Sequence, residues 1–301
     1  MSAALFNATR RGTCLTAYGQ NGAVPRAVFD YGAEVFTHGW QVFRSSDAAL
    51  VNTDGSISML PADVPRIIGS GAQKHLLLER AAMTLCNPSK TTAVNLTSVT
   101  PLGAAGGLER TRIEDDGTGY LQFNAIDIAS LAAGAEITCS AIVEAETASS
   151  CELWLGIGTT GAARLRYQFS LGDGAVTEIA NIDGVPANAG MRALGGNRHR
   201  IWITGPLISA DTVELTRFTG ITGTLTYGAM QVETGTMPSA PILSASGTRA
   251  AETLGLDLAA GDYDAILWDK DGAESALPVT ITAGALNLPV GKHEITRLCL
   301  F

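Results

Sequence analysis

The sequence predicts an all-β protein built around an antiparallel β-sandwich, and three observations carry that prediction. Apolar and polar residues alternate over short runs, as in ARLRYQFSL, where Leu165, Tyr167, Phe169 and Leu171 take one face and Arg164, Arg166, Gln168 and Ser170 the other. Side chains on a strand repeat every two residues, so such a run buries one face and wets the other. Glycines and Asn-Gly or Asp-Gly pairs separate the runs, and these residues tolerate the positive φ of hairpin turns. Helical periodicity is scarce, with only LERAAMTL and IASLAAGAE offering a short helix or turn each.

Taken in order, residues 1–40 hold most of an aromatic run, AVFDYGAEVFTHGWQVF, that includes Phe29, Tyr31, Phe36, Trp40 and Phe43. Residues 41–88 are rich in Pro, Asn and Gly, lack sustained periodicity and are expected to cross a surface as an extended strap, pinned by Leu76, Leu77 and Leu78. Residues 89–245 form the strand-rich body. There EITCSAIVE turns Ile137, Cys139, Ala141 and Val143 inward, and CELWLGI turns Cys151, Leu153, Leu155 and Ile157 inward with Trp154 on the opposite face. TVELTRF and TYGAMQVE supply further strands, and several short strands with turns between them argue for a sandwich. Residues 246–301 are expected to be a separate small C-terminal β unit, with a hairpin turn at Asp269–Gly272. About fifty residues lie near the size limit for independent folding, so this unit should lean on the body or on another subunit.

Composition narrows the function. A chain of 301 residues with 46% hydrophobic and 16% charged residues is globular. Its net charge is −9 and it has four lysines, which argues against a phosphate-binding basic face and against nucleic acid as a partner. Five cysteines without a C-x-x-C pair read as buried thiols. The N-terminus lacks the apolar core of a signal peptide and no run is long enough to span a membrane, so assembly in the cytoplasm without membrane insertion is expected.

Saccharide rings stack their C–H faces on aromatic side chains and need fixed polar partners for their hydroxyls. Trp154 and Trp202 fall on the outer faces of their strands, and Arg164, Arg166, Arg198 and Arg200 stand near them in sequence as hydroxyl-directed donors. The competing reading packs both tryptophans under loops or against a neighbouring protomer. EDDGTG and DKDG resemble fragments of calcium loops, but the full ligand pattern is absent and Asp-Gly suits a hairpin turn, so no metal is expected. The four histidines are scattered and no nucleophile or phosphate-loop motif is present, so neither catalytic residues nor a cofactor are expected.

Two segments carry a resemblance. RSSDAALVNTDGSISMLPADVPRIIGSGAQKHLLLE, from Arg44 to Glu79, and YGAMQVETGTMPSAPILSASGTRAAE, from Tyr227 to Glu252, are similar in order and pattern to segments of bacteriophage and prophage, or gene-transfer-agent, virion fibre and spike proteins. The chain departs from that pattern at Ala82, Met83 and Thr84 and from Ser239 to Leu243. The resemblance implies a jelly-roll-like sandwich of the carbohydrate-binding-module kind, displayed on a virion in a trimer or other homo-oligomer, with no catalytic residues. It also makes residues 1–40, with the aromatic run of Phe29, Tyr31, Phe36, Trp40 and Phe43, the candidate for attachment to other virion proteins. Three functions follow as expectations. The first is a tail fibre, head fibre or spike that presents the sandwich to host cell-surface polysaccharide; the others are a purely structural connector or decoration protein and a capsular polysaccharide depolymerase.

Overall fold

The structure, a computed structural model, describes residues 25–52, 56–79, 82–83, 86–105, 108–125, 131–156, 165–181, 184–208, 214–242, 248–288 and 292–301. The fold is all-β with antiparallel sheets, and among the described residues the single helical element is the 3-10 turn Gly71–Gln73. The chain forms two compact units. One is made of Val51–Met59 and Ala82–Arg249, the other of Met1–Leu50, Leu60–Ala81 and Ala250–Phe301.

The first unit is a β-sandwich of two six-stranded sheets. One sheet runs in the order Ser98–Ala105, Leu108–Asp116, Thr222–Thr234, Glu136–Ala145, Arg198–Pro206, Asn188–Gly195. The other runs Val176–Asn181, Leu165–Ser170, Ser150–Leu155, Glu214–Thr219, Tyr120–Ala125, Cys86–Val94. Alternation decides what lies between them: Ile137, Cys139, Ala141 and Val143 of the first sheet meet Leu153, Leu155, Leu165 and Phe169 of the second in one core, all without solvent exposure. Phe123, Phe218 and Tyr227 add an aromatic cluster with ring centroids 5.3 to 6.0 Å apart.

The second unit corrects the expected division of the chain. Residues 246–301 supply five neighbouring strands, Lys292–Leu300, Gly261–Asp269, Glu274–Thr282, Ala285–Asn287 and Thr253–Leu256, but the sheet does not end with them. Their last strand, Lys292–Leu300, pairs with Ala27–Asp30 through its C-terminal half and with His75–Glu79 through its N-terminal half. Thr253–Leu256 pairs with Trp40–Phe43. So short a segment makes only a small core, and strands from the N-terminal region extend the sheet and add Ala27, Phe29, Val42, Leu76 and Leu78 to that core.

That pairing also redefines the five aromatics. Phe29 and Tyr31 are buried, and Phe36 and Trp40 pack against the same core, with Tyr31 in edge contact with both rings at 5.4 and 5.1 Å. Phe29 and Tyr31 are core and so not available as an attachment surface, Phe36 and Trp40 are half-buried against that core, and Phe43 is exposed. Residues 1–24 lie outside the described residues. The strap is likewise more structured than expected, since it contains the hairpin Ala48–Val51/Ile57–Leu60 and the pair Arg66–Ile68/His75–Glu79. Leu76 and Leu78 enter the core as anticipated, whereas Leu77 falls on the other face of its strand.

Candidate functional site

The outer face of the second sandwich sheet carries the best-formed surface constellation. Trp154 lies between Leu153 and Leu155, both buried inward, so strand alternation points it outward. The register sets Arg166 opposite it on one neighbouring strand and Arg217 on the other. Tyr120 and Gln122 follow on the next strand, with Gln122 opposite Arg217. The Arg217 guanidinium carbon stands 4.8 Å from the Trp154 ring centroid and 4.4 Å from that of Tyr120, bridging the two aromatics. Arg166 lies over Trp154 at 5.6 Å and is ion-paired with the nearly buried Glu152, which fixes its direction. The row therefore alternates aromatic rings and guanidinium donors across four strands, and the buried Trp154 Nε1–H has no acceptor within the protein.

Of the five residues expected at a saccharide site, the structure joins only Trp154 and Arg166. Arg164 lies outside the described residues. Arg200 and Trp202 project from the outer face of the opposite sheet, separated from Trp154 by the whole core, and do not contribute to its site. Trp202 lies flat against the adjacent strand, where a Cβ on Gly190 would come within 2.2 Å of the indole. Arg200 is nearly buried and donates to Ser140 Oγ at 2.9 Å. The residues that sequence reasoning passed over are Arg217, Tyr120 and Glu152. Alternation held the signal: inward Phe218 and Leu121 oblige Arg217 and Tyr120 to face out.

The two segments that carried the resemblance are structural. Gln231 and Glu233, from TYGAMQVETGTMPSAPI, accept the backbone N–H groups of Ile242 and Ser239 at 3.0 and 2.8 Å. They thereby fold residues 235–242 back over buried Thr138 and Thr204, whose hydroxyls donate to Gly235 and Thr236 carbonyls. In the other unit, Arg44, Arg66, Glu79 and Glu252 form an ion-pair network with no side-chain exposure. Arg44 also donates to the Ser46, Leu60, Pro61 and Val64 carbonyls, so its guanidinium has partners on every nitrogen. Burial alone would lower the Arg66 pKa; the charges and hydrogen bonds of Glu79 and Glu252 outweigh it and raise it.

Both aspartate-glycine segments are turns. Asp116 Oδ1 accepts the Thr118 N–H and hydroxyl, Asp115 Oδ2 accepts the Gly119 N–H, and Asp269 Oδ1 accepts the Asp271 and Ala273 N–H groups. Among the described residues no group of three or more His, Cys, Asp or Glu side chains is placed to hold a metal, and no helix is long and apolar enough to cross a membrane. No protein-family model matches the chain, and no curated protein is detectably similar to it.

Proposed function

We propose that this chain is a non-enzymatic, displayed component of a phage-type particle, a fibre or spike, that binds host-surface saccharide through the sandwich face centred on Trp154. One observation carries the saccharide reading: the row Tyr120, Arg217, Trp154, Arg166 sets two rings and two guanidiniums side by side on a rigid sheet. Ring edges and faces accept sugar C–H groups, and guanidinium N–H donors take hydroxyl oxygens in a fixed fork. The particle context rests on the two resembling segments, and copies of the chain on one particle would convert weak single-site affinity into useful avidity.

The test is binding of the full chain to host-surface polysaccharide. Trp154→Ala and Arg217→Ala, checked for retained fold by near-ultraviolet circular dichroism, should each weaken binding by about tenfold, the effect of losing roughly 1.4 kcal/mol of stacking or charge-assisted contact. Undiminished binding by both folded variants removes this face from the function.

A further inference from the structure

The row on the outer face of the second sandwich sheet has an order as well as a composition. Its members come from four consecutive strands, Leu165–Ser170, Ser150–Leu155, Glu214–Thr219 and Tyr120–Ala125, and they alternate in kind as Arg166, Trp154, Arg217, Tyr120. Arg166 is directly opposite Trp154, and Trp154 directly opposite Arg217. Tyr120 stands one outward position from Gln122, the residue opposite Arg217, and its ring centroid lies 4.4 Å from the Arg217 guanidinium carbon. All four side chains belong to residues that are partly exposed, so a ligand laid on the sheet can touch each of them, and all four lie within the sandwich unit.

The row is open at both ends. On the edge strand Val176–Asn181 the residue opposite Arg166 is Ala180, and on the edge strand Cys86–Val94 the residue opposite Gln122 is Thr92. Ala180 is partly exposed and Thr92 exposed. Neither side chain is long enough to close the row, and neither adds a ring or a guanidinium. A chain can therefore pass over both edges, while its gain from contact ends with the four inner positions.

Spacing and alternation together select the occupant. Neighbouring strands lie about 4.8 Å apart, and a sugar unit in an extended β-1,4-linked chain advances by a similar distance, so each strand addresses one unit of a chain laid across the sheet. Successive units of such a chain are turned over relative to one another, and its contacts repeat every second unit, as the row repeats guanidinium and ring. An α-1,4-linked chain coils and leaves the row after a few units. A single terminal sugar spans about one strand spacing and leaves most of the row uncovered.

We infer that Arg166, Trp154, Arg217 and Tyr120 form a four-unit strip for an internal stretch of an extended β-1,4-linked saccharide, laid across the strands. The inference rests on the proposal that this face binds saccharide, and it names the linkage and the length that the face takes.

Calorimetric titration of the full chain with cello- and chito-oligosaccharides of one to six units, and with malto-oligosaccharides of the same lengths, tests it. Affinity for at least one β-1,4-linked series should rise by about tenfold from two units to four, the effect of bringing a further ring and guanidinium into contact. It should rise no further at six units, and maltotetraose should bind no better than maltose. Tyr120→Ala, confirmed as folded by near-ultraviolet circular dichroism, should remove most of the gain at four units and leave the two-unit ligand unaffected. Neither β-1,4-linked series bound, one unit bound as tightly as four, an equal rise in the malto series, or a series unchanged in folded Tyr120→Ala overturns the strip. Host-polysaccharide binding scores the face separately. Loss of that binding in Trp154→Ala, with both β-1,4-linked series flat or silent, would sink the strip and leave the proposed function standing. A Tyr120-dependent rise with length, in a chain whose host-polysaccharide binding is indifferent to Trp154, would do the reverse.

Discussion

Arg66 and Glu252, 186 residues apart in sequence, form a two-pronged ion pair in which neither side chain is exposed to solvent. The Arg66 Nε meets Glu252 Oε1 at 2.9 Å and Nη2 meets Oε2, while Arg44 Nη1 shares Oε1 at 2.6 Å and Glu79 holds Arg66 at 2.7 Å. Two arginines and two glutamates balance in charge, which is the condition under which so dry a cluster can persist. Backbone bonds brace it: Glu79 N–H donates to the Glu252 carboxylate and Glu252 N–H to the Glu79 carbonyl. Both resembling segments thus contribute to one lock, with Arg44, Arg66 and Glu79 from the first and Glu252 from the second.

Removing Glu252 leaves two buried guanidiniums with one carboxylate between them. Glu252→Gln should therefore destabilise the unit by about 3–5 kcal/mol, the cost of breaking a buried pair from one side. Urea unfolding followed by circular dichroism measures it, and a change below about 1 kcal/mol, the scale of a surface pair, would show that the network contributes little.

Glu233 holds the return of the chain over the first sandwich sheet by accepting the Ser239 N–H at 2.8 Å and the Gln231 side-chain amide at 2.6 Å. Glu233→Ala should cost about 1–3 kcal/mol by leaving these buried donors unpaired. Limited proteolysis should then cut within residues 235–242 faster than in the parent chain. Equal cleavage rates at that segment would mean that other contacts secure it.

Cys139, Cys151 and Cys299 are thiols outside any disulfide and without solvent exposure. Burial pushes the Cys151 thiol up to about 12, with the neighbouring Glu152 charge adding to the effect, and burial pushes Cys299 up to about 12 as well. Since the thiolate is the reactive form, none of the three should take up iodoacetamide in the native protein, and all three should in urea. Peptide mapping by mass spectrometry reads this directly; alkylation of Cys151 in folded protein would contradict the packed core.

Burial lowers the pKa of His199 below the usual 6.5, and its hydrogen bond to the Leu171 backbone only partly opposes this. The unfolded chain then binds the proton more readily than the folded one. Stability from this group is full above pH 6.5 and is lost as pH falls through the lower folded value. His199→Gln should accordingly flatten the fall in Tm on acidification below neutrality, and thermal melts across that range check it. An unchanged pH slope would place the acid sensitivity on other groups.

The strands of the sandwich were readable because alternation is a local property. ARLRYQFSL and EITCSAIVE each state which residues face in, and the structure places Leu165, Tyr167, Phe169, Ile137, Cys139, Ala141 and Val143 in the core as that pattern requires. The same pattern assigned Trp154 and Trp202 to outer faces. It could not say that the two faces belong to opposite sheets, because alternation fixes a side chain relative to its own strand and leaves the order of strands open. Aromatic-rich residues 27–43 misled for a related reason: Phe29 and Tyr31 have the composition of a docking surface, and only pairing with residues 297–300 makes them core.

By itself, the sequence determined the all-β class, the inward faces of the strands, and the turns at Asp115–Gly119 and Asp269–Gly272. Tertiary structure decided that those segments meet at Arg66 and Glu252, that the C-terminal strands are completed by residues 27–79, and that Arg217 lies between Trp154 and Tyr120. These are contacts between residues far apart along the chain. Short-range pattern carries the cost of exposing an apolar side chain, whereas which distant strand covers it is settled only when the sheets assemble and every buried donor, charge and methyl must find its partner at once.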